Sequence, residues 1–555
     1  RAVAEVIEEN FKHIIEKFYF DLAVHYDTCK NTEKALFYLE KSTISYNNIL
    51  DRESELKCYS RIIEIIKENN LDYDIKYFDA QCKIADIHNY LGDTKSSISI
   101  LKELLNDKNV NEESTALINF YLGGTYENIR ENKLAVAAYQ ESYNFFSKNN
   151  KHRANDINKS IGRILTNTGN YDKALEILLK ALDFYKSEKD YFNIALTFQH
   201  IGAVHFNKGE YDKSYKYYKD EYDIAKKIDA KILFQPSGGN LALINMIKGN
   251  YAKSLNIFNE ILIVLEDIND KFNIGLTYGN IGIAYKNLRE FDDAIENYLK
   301  QLDIATKSNY QSQICSGNNN IGLCYYKKGD FKTAEEHFNK AIALSKKIND
   351  KNEELLSTSN LGLLLTDMGK YENAEEIFNN NLLFFEQIKN VRLQGLVQMD
   401  LSKIYLENNQ YDKSLKFIKN SINNLEKTED LPYLTKALMQ QAKAYRKLKN
   451  LVESEKSLDR ALEISKNIND IDLINKLNIE KYINALKSDD KALSESELLS
   501  FSNKNIGDEH KAYIHYNLWK YCKNNSSKEA SFKLYKKLYK KSPKHIFKMR
   551  IDFLK

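Results

Sequence analysis

Proline is nearly absent from this chain. Three prolines among 555 residues, where average usage near 5% would give roughly 28, exclude a β-sandwich, a Pro-rich linker and a disordered tail. No run approaches the roughly 18 apolar residues that a membrane span needs. Neither sign of charge is in excess, since 81 Lys and Arg stand against 78 Asp and Glu for a net +3, so the chain as a whole is not a bulk polyanion binder. Cysteine is scarce too. The six, at 29, 58, 82, 315, 324 and 522, form no C-x-x-C pair, the pattern of reduced, buried thiols in a cytoplasmic protein. The opening Arg1-Ala2-Val3-Ala4-Glu5-Val6 turns charged at once and so is not a secretory leader. With no initiating Met and an amphipathic helix already under way, the chain is expected to be a piece of a longer protein.

Motifs that carry chemistry are also missing. A phosphate-binding loop needs Gly-x4-Gly-Lys-Ser/Thr, so that backbone N–H groups cradle the phosphates. The nearest fragment, Gly369-Lys370-Tyr371, lacks the hydroxyl and the upstream glycine. No His-Glu-x-x-His, Gly-x-Ser-x-Gly or Gly-x-Gly-x-x-Gly occurs, which removes zinc hydrolysis, nucleophile-elbow acyl transfer and dinucleotide binding. His200 and His205 lie five apart, one beyond the spacing that aims two helical ligands at one metal, and no other ligands complete a set. No catalysis, cofactor or metal is expected.

What is present is repetition. Shifted by 40, the chain aligns with itself without gaps: Ile161-Gly162, Ile201-Gly202, Leu241-Ala242, Ile281-Gly282, Ile321-Gly322, Leu361-Gly362, Leu401-Ser402 and Gln441-Ala442. Nine residues after each small residue comes Tyr171, Tyr211, Tyr251, Phe291, Phe331, Tyr371, Tyr411 or Leu451. Three further on stands Ala174, Ser214, Ser254, Ala294, Ala334, Ala374, Ser414 or Ser454. A turn lies between, usually with Gly (169, 209, 249, 329, 369) to supply the positive φ that ends one helix. A second punctuation, Ile268-Asn269-Asp270, Ile348-Asn349-Asp350 and Ile468-Asn469-Asp470, marks the loop between repeats, with Asn or Asp as cap. Each repeat is two helices whose small residues let them approach closely. One pair cannot bury its apolar stripe alone, so neighbours must stack. The 38 tyrosines fall mostly on these packing columns.

Ile321-Gly322-Leu323-Cys324-Tyr325, followed by Gly329-Asp330-Phe331 and Ala334, resembles the tetratricopeptide repeat, with a 40-residue period similar to the Pins/LGN and kinesin-light-chain branch. The resemblance implies an all-α fold, a TPR α-solenoid: a right-handed superhelix of antiparallel helix pairs whose first helices line a concave groove. Diverged copies extend it at Leu22-Ala23, Ile84-Ala85 and Leu122-Gly123, and beyond Tyr482. The expected organisation is an N-terminal helical segment with a diverged pair over 1–83, diverged repeats over 84–160, a regular array over 161–480, and atypical repeats with a basic cap over 481–555. The opening stretch through Leu22-Ala23-Val24-His25-Tyr26 and Glu33-Lys34-Ala35-Leu36 is similar to the junction where class III nucleotide cyclases and STAND-type ATPases pass from a catalytic module into repeats. That implies an upstream ATPase or cyclase module and a sensing role for this chain.

One column points to function. Asn240, Asn280, Asn320 and Asn360 precede the Leu/Ile-Gly pair in four consecutive repeats, although Asn is a poor mid-helix residue. A carboxamide donates and accepts at once, so a ladder of them suits the main chain of an extended peptide. In the resembling peptide-binding repeats this position faces the groove. The alternative is an asparagine bonded to the neighbouring helix. Helical periodicity adds Leu243, Met246 and Ile247; Ile283, Lys286 and Asn287; Leu323, Tyr326 and Lys327; and Leu363, Thr366 and Asp367 to the same face. This mixture of amides, aliphatics and few charges suits a peptide, whereas a nucleic-acid groove would be lined with Lys and Arg. Gln235-Pro236-Ser237-Gly238-Gly239 is expected to break the start of its helix and kink the array.

From 511 to 555, 13 Lys or Arg stand against Glu529 and Asp552. This is either a solvated capping repeat or, with Trp519, Tyr535 and Tyr539 interleaved, a surface for an acidic partner, membrane or nucleic acid. The functional expectation is a protein-interaction module binding a peptide or protein segment, as sensor or scaffold arm of a cytoplasmic signalling protein. Polyanion binding through the basic end, or a purely structural spacer, are the alternatives.

Overall fold

The computed structural model describes residues 2–48, 51–69, 71, 75–428, 430–468, 470–487, 491–504 and 506–555. Among these, every regular element is helical: 29 α-helices and one 3-10 segment, Lys12–Phe18. The chain divides into two compact units, Arg1–Thr277 and Tyr278–Lys555. In the first, the helices Lys151–Asn167, Tyr191–Asn207 and Lys231–Ile247 alternate with Tyr171–Glu188, Tyr211–Lys227 and Tyr251–Asp267. The second continues the alternation with Gln311–Lys328 and Phe331–Lys347, Lys351–Asp367 and Tyr371–Gln387, Val391–Glu407 and Tyr411–Lys427, and Leu431–Lys447 and Leu451–Asn467. Most of these helices have 17 residues, about 26 Å at 1.5 Å per residue.

Both punctuation columns are backbone devices. Gly169, Gly209, Gly249, Gly329 and Gly369 hold φ between 74° and 88°, and Arg289, Asn409 and Lys449 hold the same left-handed conformation where the repeat has no glycine. Between repeats the left-handed residues are Lys189, Asp229, Asn269, Asn309, Asn349 and Lys389. The next residue frequently caps the following helix: the Asp190, Asp350 and Asn390 side chains accept from the backbone N–H three residues on, satisfying a donor the helix leaves open. Asn469, part of this punctuation, lies outside the described residues.

The small-residue column packs against a ring. A Cβ on Gly202, Gly282, Gly322 or Gly362 would fall 2.6 to 2.8 Å from the Tyr218, Tyr298, Phe338 or Phe378 side chain sixteen residues later, so only hydrogen fits without displacing a buried aromatic. The Ala/Ser column lies one turn nearer. These rings are buried, Tyr298, Phe338 and Phe378 at 0% exposure, and sit in a series of apolar clusters between successive helices within each unit.

Two expectations need correction. Lys231–Ile247 is one continuous helix through Pro236. Only one i to i−4 bond is forfeited at this proline, and the buried Ser237 hydroxyl donates to the Leu233 carbonyl at 2.5 Å. Gly238 there leaves room for Ile261, whose Cδ1 a Cβ would meet at 2.6 Å. The cysteines are not uniformly buried: Cys58, Cys82, Cys315 and Cys324 are, but Cys29 is exposed. His200 and His205 stand in different surroundings. His205 stacks on Tyr217 and bonds Glu210 at 2.7 Å, whereas burial pushes His200 down to about 3, so it stays neutral.

Candidate functional site

Asn280, Asn320 and Asn360 stand on three successive first helices of the second unit, all half-buried. Asn240 has the same exposure in the first unit. Their bonding differs. Asn360 Nδ2 donates to Asn319 Oδ1 at 2.9 Å, and Asn320 Oδ1 accepts from Lys286 Nζ at 3.3 Å. Among the described residues, each keeps one amide group without a partner, and Asn240 and Asn280 form no side-chain hydrogen bond. The neighbouring-helix bond weighed from the sequence therefore occurs at two of the four.

The column runs further than the asparagines. Asp400, Gln440 and Glu480 occupy the next three registers, a continuation the 40-residue shift contained and amide identity alone concealed. Gln440 Nε2 reaches the Met399 carbonyl in the preceding repeat at 3.0 Å. Burial pushes Asp400 up to about 7. Glu480 is 3% exposed and accepts from Arg446 at 2.5 Å and Lys443 at 2.9 Å. Burial opposes its ionisation, but these two cations outweigh it and hold the carboxyl at about 2.

Of the flanking residues, Ile283, Leu323 and Leu363 lie half-buried against the core, while Asn287 and Lys327 are exposed. Tyr326 and Asp367 come together: the Tyr326 hydroxyl donates to Asp367 Oδ2 at 2.7 Å. Asp367 is 6% exposed. Burial opposes its charge, yet Lys403 at 3.2 Å, Lys544 at 3.7 Å and the Tyr326 hydroxyl hold it below the usual carboxylate range. Burial raises Glu407 beside it, 3.9 Å from Lys403. Lys403 and Glu407 were legible as the next registers after Leu363 and Asp367. Nothing in the repeat pattern announced Lys544.

The following registers are positive. Burial and then Lys520, Arg446, Arg550 and Lys487 push Lys447 down to about 8. Lys487 and Lys520 lie 5.3 and 5.4 Å from the centre of one ring, Tyr521. The same face therefore changes sign along the second unit, from carboxylates at Asp367, Asp400 and Glu407 to cations at Lys447, Lys487 and Lys520. Among the described residues, no group of His, Cys, Asp and Glu is placed to hold a metal ion, and no helix is long and apolar enough to cross a membrane.

One tetratricopeptide repeat family model matches residues 153–227 and 313–380, and a second, also described as tetratricopeptide repeat, matches 276–308 and 435–468. No curated protein sequence matches the chain. Similar solved structures include the apo form of the quorum sensor NprR from B. thuringiensis, 16% identical with a TM-score of 0.44, covering 64% of this chain and 99% of that one. Yeast Tom70 is 15% identical with a TM-score of 0.41, covering 88% and 99%. The apo form of RapI is 14% identical with a TM-score of 0.36, covering 57% and 99%. The 40-residue columns, the paired helices and the matched segments lead to one conclusion: the matched segments are tetratricopeptide repeats, and within each unit the described residues form an all-α array of stacked helix pairs of the TPR type.

Proposed function

We propose that this chain is a protein-interaction module that holds a peptide or an extended protein segment along the first helices of its second unit, with Asn280, Asn320 and Asn360 gripping the partner's main chain. The observation that carries this reading is the unspent hydrogen-bonding capacity of the column. Among the described residues, Asn280 has a half-buried carboxamide with no hydrogen-bond partner, and Asn320 and Asn360 each keep one group free. None of these groups is a buried unsatisfied atom, so they are open to an incoming partner, and a main chain supplies donors and acceptors at a regular rise whatever its side chains. Ile283, Leu323 and Leu363 then offer apolar contact, while Tyr326, Lys327 and Asp367 select polar groups. Asn240 extends the same chemistry in the first unit. In a larger signalling protein, the bound segment would act on an upstream ATPase or cyclase module, as the opening stretch suggests.

The test is capture of partners from the source cell's lysate by the parent chain beside one carrying Asn280→Ala, Asn320→Ala and Asn360→Ala, with helicity checked by circular dichroism. Partners retained by the parent alone support the reading. Identical capture by both would reduce the chain to a structural spacer or move binding elsewhere. A second reading, an anionic partner at the C-terminal end, is favoured by the Lys447, Lys487 and Lys520 cluster, and predicts an affinity that falls steeply with salt.

A further inference from the structure

The second unit's candidate site already has an occupant. Residues 541–545, the turn joining the helices Asn525–Lys541 and His545–Leu554, lie against the first-helix ends of repeats far away in sequence. Lys544 Nζ is 3.7 Å from Asp367 Oδ2. The His545 ring stands edge-on to Tyr371, centroids 6.0 Å apart, and occupies the space a Cβ on Gly369 would take, with its Cγ 2.5 Å from that point. A Cβ on Gly329 would collide with the Lys541 carbonyl oxygen and would lie 2.7 Å from Ser542 Cα. The equivalent turns at Gly169, Gly209 and Gly249 have nothing within 4 Å. Among these glycine turns the close approach is particular to two, and it brings backbone and side chains of 541–545 to the Asp367 edge of the site.

The contact has the build of something exchangeable. Lys544 keeps 26% of its side-chain exposure and its two ion pairs, with Asp367 at 3.7 Å and Glu509 at 3.6 Å, exceed hydrogen-bond length. A partner's cation seated at hydrogen-bond length would bind the Asp367 carboxylate more strongly than Lys544 does at 3.7 Å. The apolar side chains of the last helix do not hold the turn down on the site. Phe547, Ile551 and Leu554 bury with Ala512 and Tyr535 in the C-terminal repeat's own core and not against Asp367. Asp367, by contrast, cannot be left with less: it is buried, ionised and shared between Lys403 and Lys544.

We infer that the Asp367 site recognises a basic segment, and that residues 541–545 are its occupant in cis, displaced when a partner's Lys or Arg takes the place of Lys544. This rests on the groove reading above and adds the chemistry of the ligand.

The test uses the full chain and a fluorescein-labelled synthetic peptide of its own residues 540–547. Removing an internal competitor raises apparent affinity by the inverse of the open fraction, so Lys544→Glu is expected to bind the peptide about ten-fold more tightly than the parent, and adding Asp367→Asn to abolish the gain. Gly329→Ala should reproduce the gain by steric release. Gly249→Ala carries the same positive-φ strain with an empty surround and should not. Opening is read independently as tryptic cleavage after Lys541, a site both variants keep, expected to rise about ten-fold in Lys544→Glu and Gly329→Ala only, since cleavage tracks the open population. Equal peptide affinity in the parent and Lys544→Glu, or a gain that survives Asp367→Asn, overturns the inference. Should that happen while partner capture still depends on the asparagines, the groove reading stands and only its basic-ligand form falls.

Discussion

Ser454 donates its hydroxyl to the carbonyl oxygen of Ala442 at 2.8 Å. The same bond, twelve residues apart, joins Ser214 to Gly202 at 2.9 Å, Ser254 to Ala242 at 2.8 Å and Ser414 to Ser402 at 2.9 Å. The Ala/Ser column is therefore a column of small residues in which serine adds a hydrogen bond between the two helices of a repeat. Ser254→Ala should cost about 1 kcal/mol, one net hydrogen bond, read as a lowered urea midpoint. Ser254→Leu should cost more, by overpacking.

Arg289 and Lys449 both have φ of 65° at the turn position where other repeats carry glycine. A side chain there meets its own backbone, which a glycine does not. Arg289→Gly and Lys449→Gly should each raise the urea midpoint, by an amount equivalent to about 0.5–1 kcal/mol. The same change at Lys173, within the helix Tyr171–Glu188, should lower it by about 1 kcal/mol.

Arg446 and Glu480 form a buried pair at 2.5 Å, with side-chain exposures of 7% and 5%. Glu480→Gln leaves Arg446 and Lys443 without their anion and should destabilise by about 3–5 kcal/mol. The carboxyl sits at about 2 in the fold against an ordinary 4.5. Its contribution is therefore present above pH 4.5 and lost as pH falls toward 2. Denaturation of parent and Glu480→Gln should converge over that window.

Glu221 has the opposite sign. It is 0% exposed, neither carboxylate oxygen has a hydrogen-bond partner, and burial pushes it up to about 9. The folded state thus holds a proton that the unfolded state releases near 4.5. Stability from this group is full below pH 4.5 and is lost progressively as pH rises to 9. In melting curves, Glu221→Gln should flatten this decline. Glu221→Leu should stabilise at pH 9 by about 1–3 kcal/mol, the cost of an unsatisfied buried polar group.

The asparagine column separates by stability. Asn360→Ala removes the bond to Asn319 and should cost about 1 kcal/mol. Asn280→Ala removes no bond within the chain and replaces a poor helix former, so thermal stability should stay level or rise by about 0.5 kcal/mol. A loss of partner capture from Asn280→Ala would then reflect lost contact rather than lost fold.

Much of this protein follows from residues close in sequence. Gly322 with Phe338, the left-handed Asn349 before the capping Asp350, and Ser254 over Ala242 are all written in a 40-residue period, because each satisfies its geometry within one repeat or against the next. The same period placed Asn280, Asn320 and Asn360 on one face. It contained Asp400, Gln440 and Glu480 as well, hidden because the residue type changes while the register does not. Pro236 shows the limit of local rules: a breaker inside Lys231–Ile247 costs one hydrogen bond, and packing against Ile261 at Gly238 keeps the helix whole.

The tertiary structure alone decided how the amides are spent and what meets Asp367. Whether Asn360 bonds Asn319 while Asn280 bonds nothing depends on side-chain distances between stacked helices, which a shared register does not encode. That Lys544 reaches Asp367, and that the 541–545 turn presses on Gly329 and Gly369, depends on the small rotation each repeat adds to the last within the second unit. Sequence determines the repeat and its neighbour interface; contacts between repeats that are not neighbours arise only when those rotations accumulate.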